Sequence, residues 1–327
     1  TYSFRLPQSS STLGTLKVIY LLATADIIII DDYFGLLEYF YLPEKVKLIQ
    51  LWHAGVGFKS IGYSRFGKYG SPKLHNAHRR YTYAIAGSDH LVDVYAEAFG
   101  VEKSAVIATG LPRIDTFLDA ETAAAAVRGF EQAHPELSGK RIVLFAPTFR
   151  GRGIRDAYYD YDTIDFARWY DWCGDDTVVL FRMHHFVADP PPIPPQYRDR
   201  LIDASGFGDT NNLLQVADIL ITDYSSIIYE YALLRRPMLF YSYDREVYAA
   251  TRGFHHDFAT TAPGKVCDTF DELLRALRDQ DFETEKVDAF VAQNFNYVDT
   301  GSADRVIDWL ILGEPPRAQG DEHDRRK

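Results

Sequence analysis

The sequence predicts an α/β protein built from two doubly wound, Rossmann-like domains that face a cleft. Three observations carry that reading. Strands that are apolar almost throughout alternate with helices, as in parallel sheets covered on both faces. The alternation breaks at an Ala-rich segment between Thr116 and Ser138 and then restarts. The strand ends collect His, Arg, Ser, Thr and Gly, and ligands of such folds bind beyond the carboxyl ends of the strands.

In chain order, LGTLKVIYLLATA (13–25) reads as a helix and DIIII (26–30) as a strand. Asp26 and Asp31 bracket the four isoleucines, so the run is a buried strand. No apolar run approaches the ~18 residues of a membrane span. VKLIQLWH (46–53) is a strand entering a glycine-bearing loop, YTYAIAGS (81–88) a strand, DHLVDVYAEAFG (89–100) a helix with a Gly stop, and SAVIATG (104–110) a strand. The Ala-rich helix closes the first domain, residues 1–137. The second, residues 138–312, runs through strand RIVLFAPT, helix DFARWYDWCG, strand TVVLFRMHH, short strand RLIDAS, helix TNNLLQVA and strand DILIT. ADPPPIPPQYRD is irregular, because its prolines lack backbone donors. ADRVIDWLI (303–311) is a final crossing helix, and the polar residues 313–327 form a disordered tail.

The chain has 327 residues, 46% hydrophobic and 25% charged, enough for two sizeable cores. A net charge of -11 argues against nucleic acid as the main partner. Cys173 and Cys267 have neither metal-ligand spacing nor the number for a disulfide framework, which suits a reducing, cytoplasmic compartment. No signal peptide is expected from these residues. The chain starts with Thr1 and not Met, so residues upstream are expected. No GxxxxGK[ST] loop occurs and no GxGxxG follows a strand. HLVDVYAE and HHDF contain no convincing metal-ligand set, so neither a metal nor a cofactor is expected.

The richest strand end is ILITDYSSIIYEYALLRRPMLFY (219–241). A strand stops at Ser225 and Ser226 and a helix begins at once. That turn aims N–H groups, hydroxyls and the positive helix end into the cleft, an anion site; the alternative is a plain N-cap. Asp223 either caps or orients a neighbour. Glu230, one turn on, is either an acceptor for ribose hydroxyls or a solvated charge. LFRMHHF puts Arg182 and His184 on one side of a strand end, suited to pyrophosphate, with His185 facing the other way. The alternative there is a core histidine. In LWHAGVGFKSIG a strand ends at His53, a candidate general base, before a loop with glycines and Lys59. Thr148, Arg150 and Arg113 stand at other tips. Arg65, Lys68, Lys73, Arg79 and Arg80 form a basic loop that meets either solvent or an anionic surface.

Taken together, QLWHAGVGFKSIGYSRFGK, TGLPRIDTFL, VLFAPTFRG, FRMHHFVAD, LITDYSSIIYEYALLRRPMLFYSYDREVY, RGFHHDF and FNYVDTGSADRVIDWL resemble the CDP-glycerol glycerophosphotransferase family, the teichoic-acid polymerases and primases. The resemblance covers residues 13–311. It implies a GT-B-like fold and transfer of glycerol or ribitol phosphate from CDP-glycerol or CDP-ribitol, with release of CMP. The acceptor would be a hydroxyl of a lipid-linked polyol phosphate, of a teichoic-acid or capsule-like polymer. His53 and His184 fall on the family's catalytic pair. Donor contacts carry over to Trp52, Ala54, Gly55, Val56, Arg113, Pro147, Thr148, Arg182, Met183, Ser225, Ser226 and Glu230, a position often Asp in the family. A peripheral enzyme at the inner face of the cell membrane follows from the lipid-linked acceptor. The stretch before Leu13 is short for the family. The motifs separate neither glycerol from ribitol donors nor primase from polymerase. Competing readings are a nucleotide-sugar glycosyltransferase or epimerase of the same fold, and a non-catalytic module of a polymer-assembly protein.

Overall fold

Two all-parallel sheets carry the strand tips. The computed structural model describes residues 12–314, except Val56 and residues 69–70 and 74–75. The segment before residue 12 and the expected tail beyond residue 314 lie outside the described residues. The first sheet joins β1 (Ile27–Ile30), β2 (Lys47–Gln50), β3 (Tyr83–Ile85) and β4 (Val106–Ile107) in sequence order. Its helices are α1 (Thr12–Thr24), α2 (Val92–Phe99), α3 (Pro112–Leu118) and α4 (Ala120–Ala133). The Ala-rich stretch is one helix, α4, which follows α3 after a single residue. Asp119 ends α3 and caps α4, its carboxylate accepting the Thr122 N–H at 2.8 Å.

The second sheet contains β5 (Arg141–Phe145), β6 (Thr177–Phe181), β7 (Leu201–Asp203), β8 (Ile219–Thr222), β9 (Met238–Tyr241) and β10 (Lys265–Cys267), in the order β10-β9-β8-β5-β6-β7. Around it run α5 (Phe166–Cys173), α6 (Thr210–Val216), α7 (Ile228–Leu233), α8 (Arg245–Thr251), α9 (Phe258–Thr261), α10 (Phe270–Asp279) and α11 (Glu285–Asn294). The chain closes with α12 (Ser302–Arg305), which continues as a π-helix over Val306–Leu312. The proline-rich segment is irregular except for one 3-10 turn, Pro195–Tyr197.

The central strands are buried on both faces, which is why they read as unbroken apolar runs. Successive residues supply opposite cores. Val143, Phe145, Phe181 and Leu239 pack with Trp169 on one face. Leu144, Leu180, Leu220 and Phe240 pack on the other, in a cluster that continues through Tyr229 to Ile49, Ile85 and Ile114 of the first unit. The two units thus share a core. Beyond Asn294 the chain returns to the first unit: the Asp115 carboxylate accepts the Ser302 and Ala303 N–H groups at 3.0 and 2.7 Å, and Lys47 donates to the Leu310 carbonyl at 2.9 Å.

Register brings the tips level. Phe145 stands beside Phe181 and Ile221, and Thr222 beside Phe240. The strands end earlier than their apolar runs: β2 at Gln50, β6 at Phe181. His53 and His184 therefore stand in loops past the last ladder bond, and the Arg182 N–H makes the final one, to the Phe145 carbonyl at 2.8 Å. Both cysteine thiols are buried, and burial pushes each up to about 12. Among the described residues no helix is long and apolar enough to cross a membrane.

Candidate active site

The His53 tip rests on Gln50, which is fully buried. Its amide donates to the Asp32 carbonyl at 3.1 Å and the Tyr81 hydroxyl at 2.9 Å, and its oxygen accepts the Trp52 N–H at 2.8 Å. Trp52 is thereby held at φ +56°, a left-handed conformation that a bulky residue rarely adopts. The turn sets the indole tilted against the His53 ring at 4.6 Å and edge-on to Phe99 at 5.3 Å. His53 Nδ1 faces Asp32 Oδ1, at the end of β1, at 3.4 Å. A carboxylate there favours the proton on Nδ1 and leaves Nε2 able to accept one. Gly55 is needed for contact across the cleft, because a Cβ would sit 2.4 Å from the Tyr229 ring of α7. Val56 lies outside the described residues. The hollow at this tip is about 520 Å³, lined by Trp52, His53, Lys59, Arg65, Lys73 and Ser226 among others.

The His184 tip faces a smaller hollow of about 170 Å³, with Pro147, Met183, His184, His185 and Ser225 in its wall. His184 Nδ1 accepts the Phe186 N–H at 3.2 Å, which leaves the proton of the neutral ring on Nε2. Burial lowers its pKa to about 4, helped by the neighbouring His185 and Lys59. Two expectations are corrected here. His185 does not face away: with the ladder ended at Phe181, alternation lapses and the two imidazoles stack at 4.4 Å. Arg182 is not free beside His184. Its guanidinium donates to the Ala204, Ser205 and Gly208 carbonyls and to Thr210 Oγ1, so it fastens the loop after β7.

The serine turn also differs from expectation. The helix α7 begins at Ile228 with Ile227 as a cap lacking a side-chain bond, so neither serine is its N-cap. Ser225 Oγ accepts the Ile227 N–H only at 3.4 Å. The two hydroxyls serve different hollows, Ser225 that of His184 and Ser226 that of His53. Behind them Asp223, fully buried, orients its neighbours. It accepts the N–H groups of Thr148 and Tyr224 at 2.8 and 2.6 Å, the Thr148 hydroxyl at 3.2 Å and Arg150 Nη1 at 2.7 Å. Arg150 also forks onto Asp244 at 2.6 and 2.8 Å, and the rings of Tyr159, Tyr224, Tyr243 and Tyr248 surround it. Arg150 and the Thr148 hydroxyl are thus structural partners of Asp223.

Glu230 is no solvated charge: it is 1% exposed. Burial raises its pKa and Arg113 opposes the rise, with Arg113 Nε 2.9 Å from Oε1. Neither oxygen receives an aligned hydrogen bond among the described residues. Arg113 also donates to the His53 carbonyl, so it ties the first tip to the second unit.

Of the basic loop, Lys68, Lys73, Arg79 and Arg80 are exposed and Arg65 alone is half-buried. Arg65 Nε donates to the Ser60 carbonyl at 2.6 Å inside the cleft, Lys68 reaches the Ala249 carbonyl at 3.3 Å, and Arg80 binds the Leu37 and Phe40 carbonyls. His78, next to Arg79, is buried against Tyr81, and burial lowers it to about 4. A shallow hollow of about 620 Å³ between α5 and α10 gathers no comparable groups, and its Arg168 and Asp271 pair at 2.5 Å.

The sequence reading passed over Asp32, Gln50, Asp244 and Arg252. Only Asp32 carried a local signal, an acid directly past an apolar strand. The others matter through partners far along the chain.

Two parallel α/β units meeting at a cleft lined by strand tips define a GT-B-like protein. The model of one family, CDP-glycerol:poly(glycerophosphate) glycerophosphotransferase, matches residues 5–312, and the chain belongs to that family. It is 40% identical over 298 residues to the teichoic acid poly(ribitol-phosphate) polymerase of Bacillus spizizenii, covering 91% of this chain and 48% of that one. It is 42% identical over 290 residues to the teichoic acid ribitol-phosphate polymerase TarK of Staphylococcus aureus, covering 88% and 56%. The chain thus spans about half the length of these curated relatives. A solved structure of the wall teichoic acid polymerase TagF superposes with a TM-score of 0.73 at 25% identity, over 91% of this chain and 75% of that one.

Proposed function

We propose that the chain transfers a polyol phosphate from a CDP-activated donor to a hydroxyl of a lipid-linked polyol-phosphate acceptor, with release of CMP. The observation that carries this is the pair of imidazoles, His53 and His184, on opposed tips with one serine hydroxyl in each hollow. In the proposed step His53 Nε2 takes the proton of the acceptor's hydroxyl as its oxygen attacks the β-phosphorus. The bond from that phosphorus to the bridging oxygen breaks, and CMP leaves with the electron pair. His184, neutral with its proton on Nε2, donates to the pyrophosphate together with Ser225. Pro147, Met183 and Ser225 line the donor hollow.

Ribitol phosphate is the favoured group, because the relatives near 40% identity are named for it. Family membership favours this chemistry over nucleotide-sugar transfer. The same reading makes the protein peripheral to the cytoplasmic face of the membrane, where a lipid-linked acceptor lies. Incubation with CDP-ribitol or CDP-glycerol and a lipid-linked acceptor should release CMP, faster with CDP-ribitol. Absence of CMP with both donors and several acceptors overturns the assignment.

A further inference from the structure

We propose that Lys59, Arg65 and Arg252 form a phosphodiester-binding subsite for the acceptor strand, distinct from the pyrophosphate pocket at His184 and Ser225. The inference rests on the transfer reading above and adds the second ligand of that site.

The three side chains are half-buried, and among the described residues none has a carboxylate partner. Backbone contacts bring them together from both units. Lys59 bridges Phe254, and the Ser60 N–H donates to the Gly253 carbonyl at 3.1 Å. Arg65 is held by the Ser60 carbonyl and Arg252 by the Gly151 carbonyl, each bond leaving other guanidinium donors free. The acid that acts on Lys59 is Asp223, which already serves Thr148 and Arg150. The cations repel one another: burial, Arg65, Arg252 and Arg150 outweigh Asp223 and bring Lys59 down to about 8. Uncompensated like charges at a half-buried seam are costly without an anion.

Position selects which anion. Lys59 and Arg65 line the His53 hollow with Ser226, and none of the three lines the His184 hollow. Arg252 lies 5.2 Å over the Phe149 ring, which contacts His184 at 4.8 Å, so the cluster runs from the His53 hollow to the edge of the His184 tip without lining its hollow. An acceptor whose terminal hydroxyl sits at His53 carries its nearest phosphodiester one polyol away. Planar guanidiniums suit the two free oxygens of such a diester.

The test titrates the whole chain with glycerophosphoglycerol and, separately, with CDP at low salt. The wild-type protein should bind both. Arg65→Gln with Arg252→Gln should weaken the diester at least about tenfold, the loss of one charge-assisted hydrogen bond, and leave CDP unchanged. Lys59→Gln supplies a second variant if the double one does not fold. Diester binding that is absent in the wild type, or equal in the variants, overturns the subsite. Equal loss of CDP assigns the cations to the pyrophosphate and overturns it too. None of these readouts needs turnover, so a failure of CMP release counts against the transfer reading alone.

Discussion

Arg113 and Glu230 meet across the cleft, with Nε 2.9 Å from Oε1, and the same guanidinium holds the His53 carbonyl. One residue therefore compensates a buried carboxylate and positions the candidate base. Removing one partner of a buried pair costs about 3–5 kcal/mol. Arg113 is 31% exposed, which places Arg113→Gln at the low end of that range. The folded state favours protonated Glu230, because burial raises its pKa. That contribution to stability is complete below the ordinary carboxylate value and is lost as pH rises through the raised one. Arg113→Gln should deepen the loss. Urea unfolding at about pH 5 and pH 8 should show a larger deficit at the higher pH, and Glu230→Gln in the same chain should abolish the difference. An equal deficit at both pH values would mean that the pair carries no buried charge.

His53→Ala should lower turnover about 10²–10⁴-fold with donor affinity nearly intact, whereas His184→Ala should reduce both. A loss of donor affinity at His53 with affinity kept at His184 reverses the roles. His185→Ala should disturb turnover, through the ring stacked on His184.

His184 titrates low. Its stabilising effect is present above the ordinary histidine value and is lost as pH falls through about 4. His78 and His255, also lowered to about 4 by burial, lose stability in the same window. NMR titration of the free protein should find all three neutral from about pH 6 upward. A His184 midpoint near its ordinary value contradicts the buried setting.

The serines should separate. Ser225→Ala removes a hydroxyl from the donor hollow and should weaken CDP-polyol binding by about 1.5–3 kcal/mol. Ser226→Ala should leave that affinity unchanged and raise the KM for the acceptor. Identical effects of the two changes would rule out two hollows.

Gln50→Leu strands the Trp52 N–H, worth about 1–3 kcal/mol if left buried and unpaired, and takes one partner from the Asp32 carbonyl and from the Tyr81 hydroxyl, which keeps His78. Released from φ +56°, Trp52 should relax and carry His53 with it. Denaturation should register the lost stability, and kcat should fall further than donor affinity. A fall in stability with kcat untouched would make Gln50 a core residue without a positioning role.

Local pattern alone determined much of this protein. Apolar runs such as RIVLF and TVVLF define buried parallel strands because both faces are covered, and ligand-rich loops must then follow their ends. The placement of His53, His184 and the serine pair beyond strand ends was legible for that reason. The tertiary structure decided what each side chain does there. Arg182 binds the 204–210 loop, Glu230 is buried under Arg113, Asp223 serves Thr148 and Arg150, and Asp32 faces His53. These partners are joined by the order of strands in each sheet. β5 lies beside β8, which brings Thr148 to Asp223 across 75 positions of sequence. Periodicity reports which face of an element is buried, and it carries no record of which distant element covers that face.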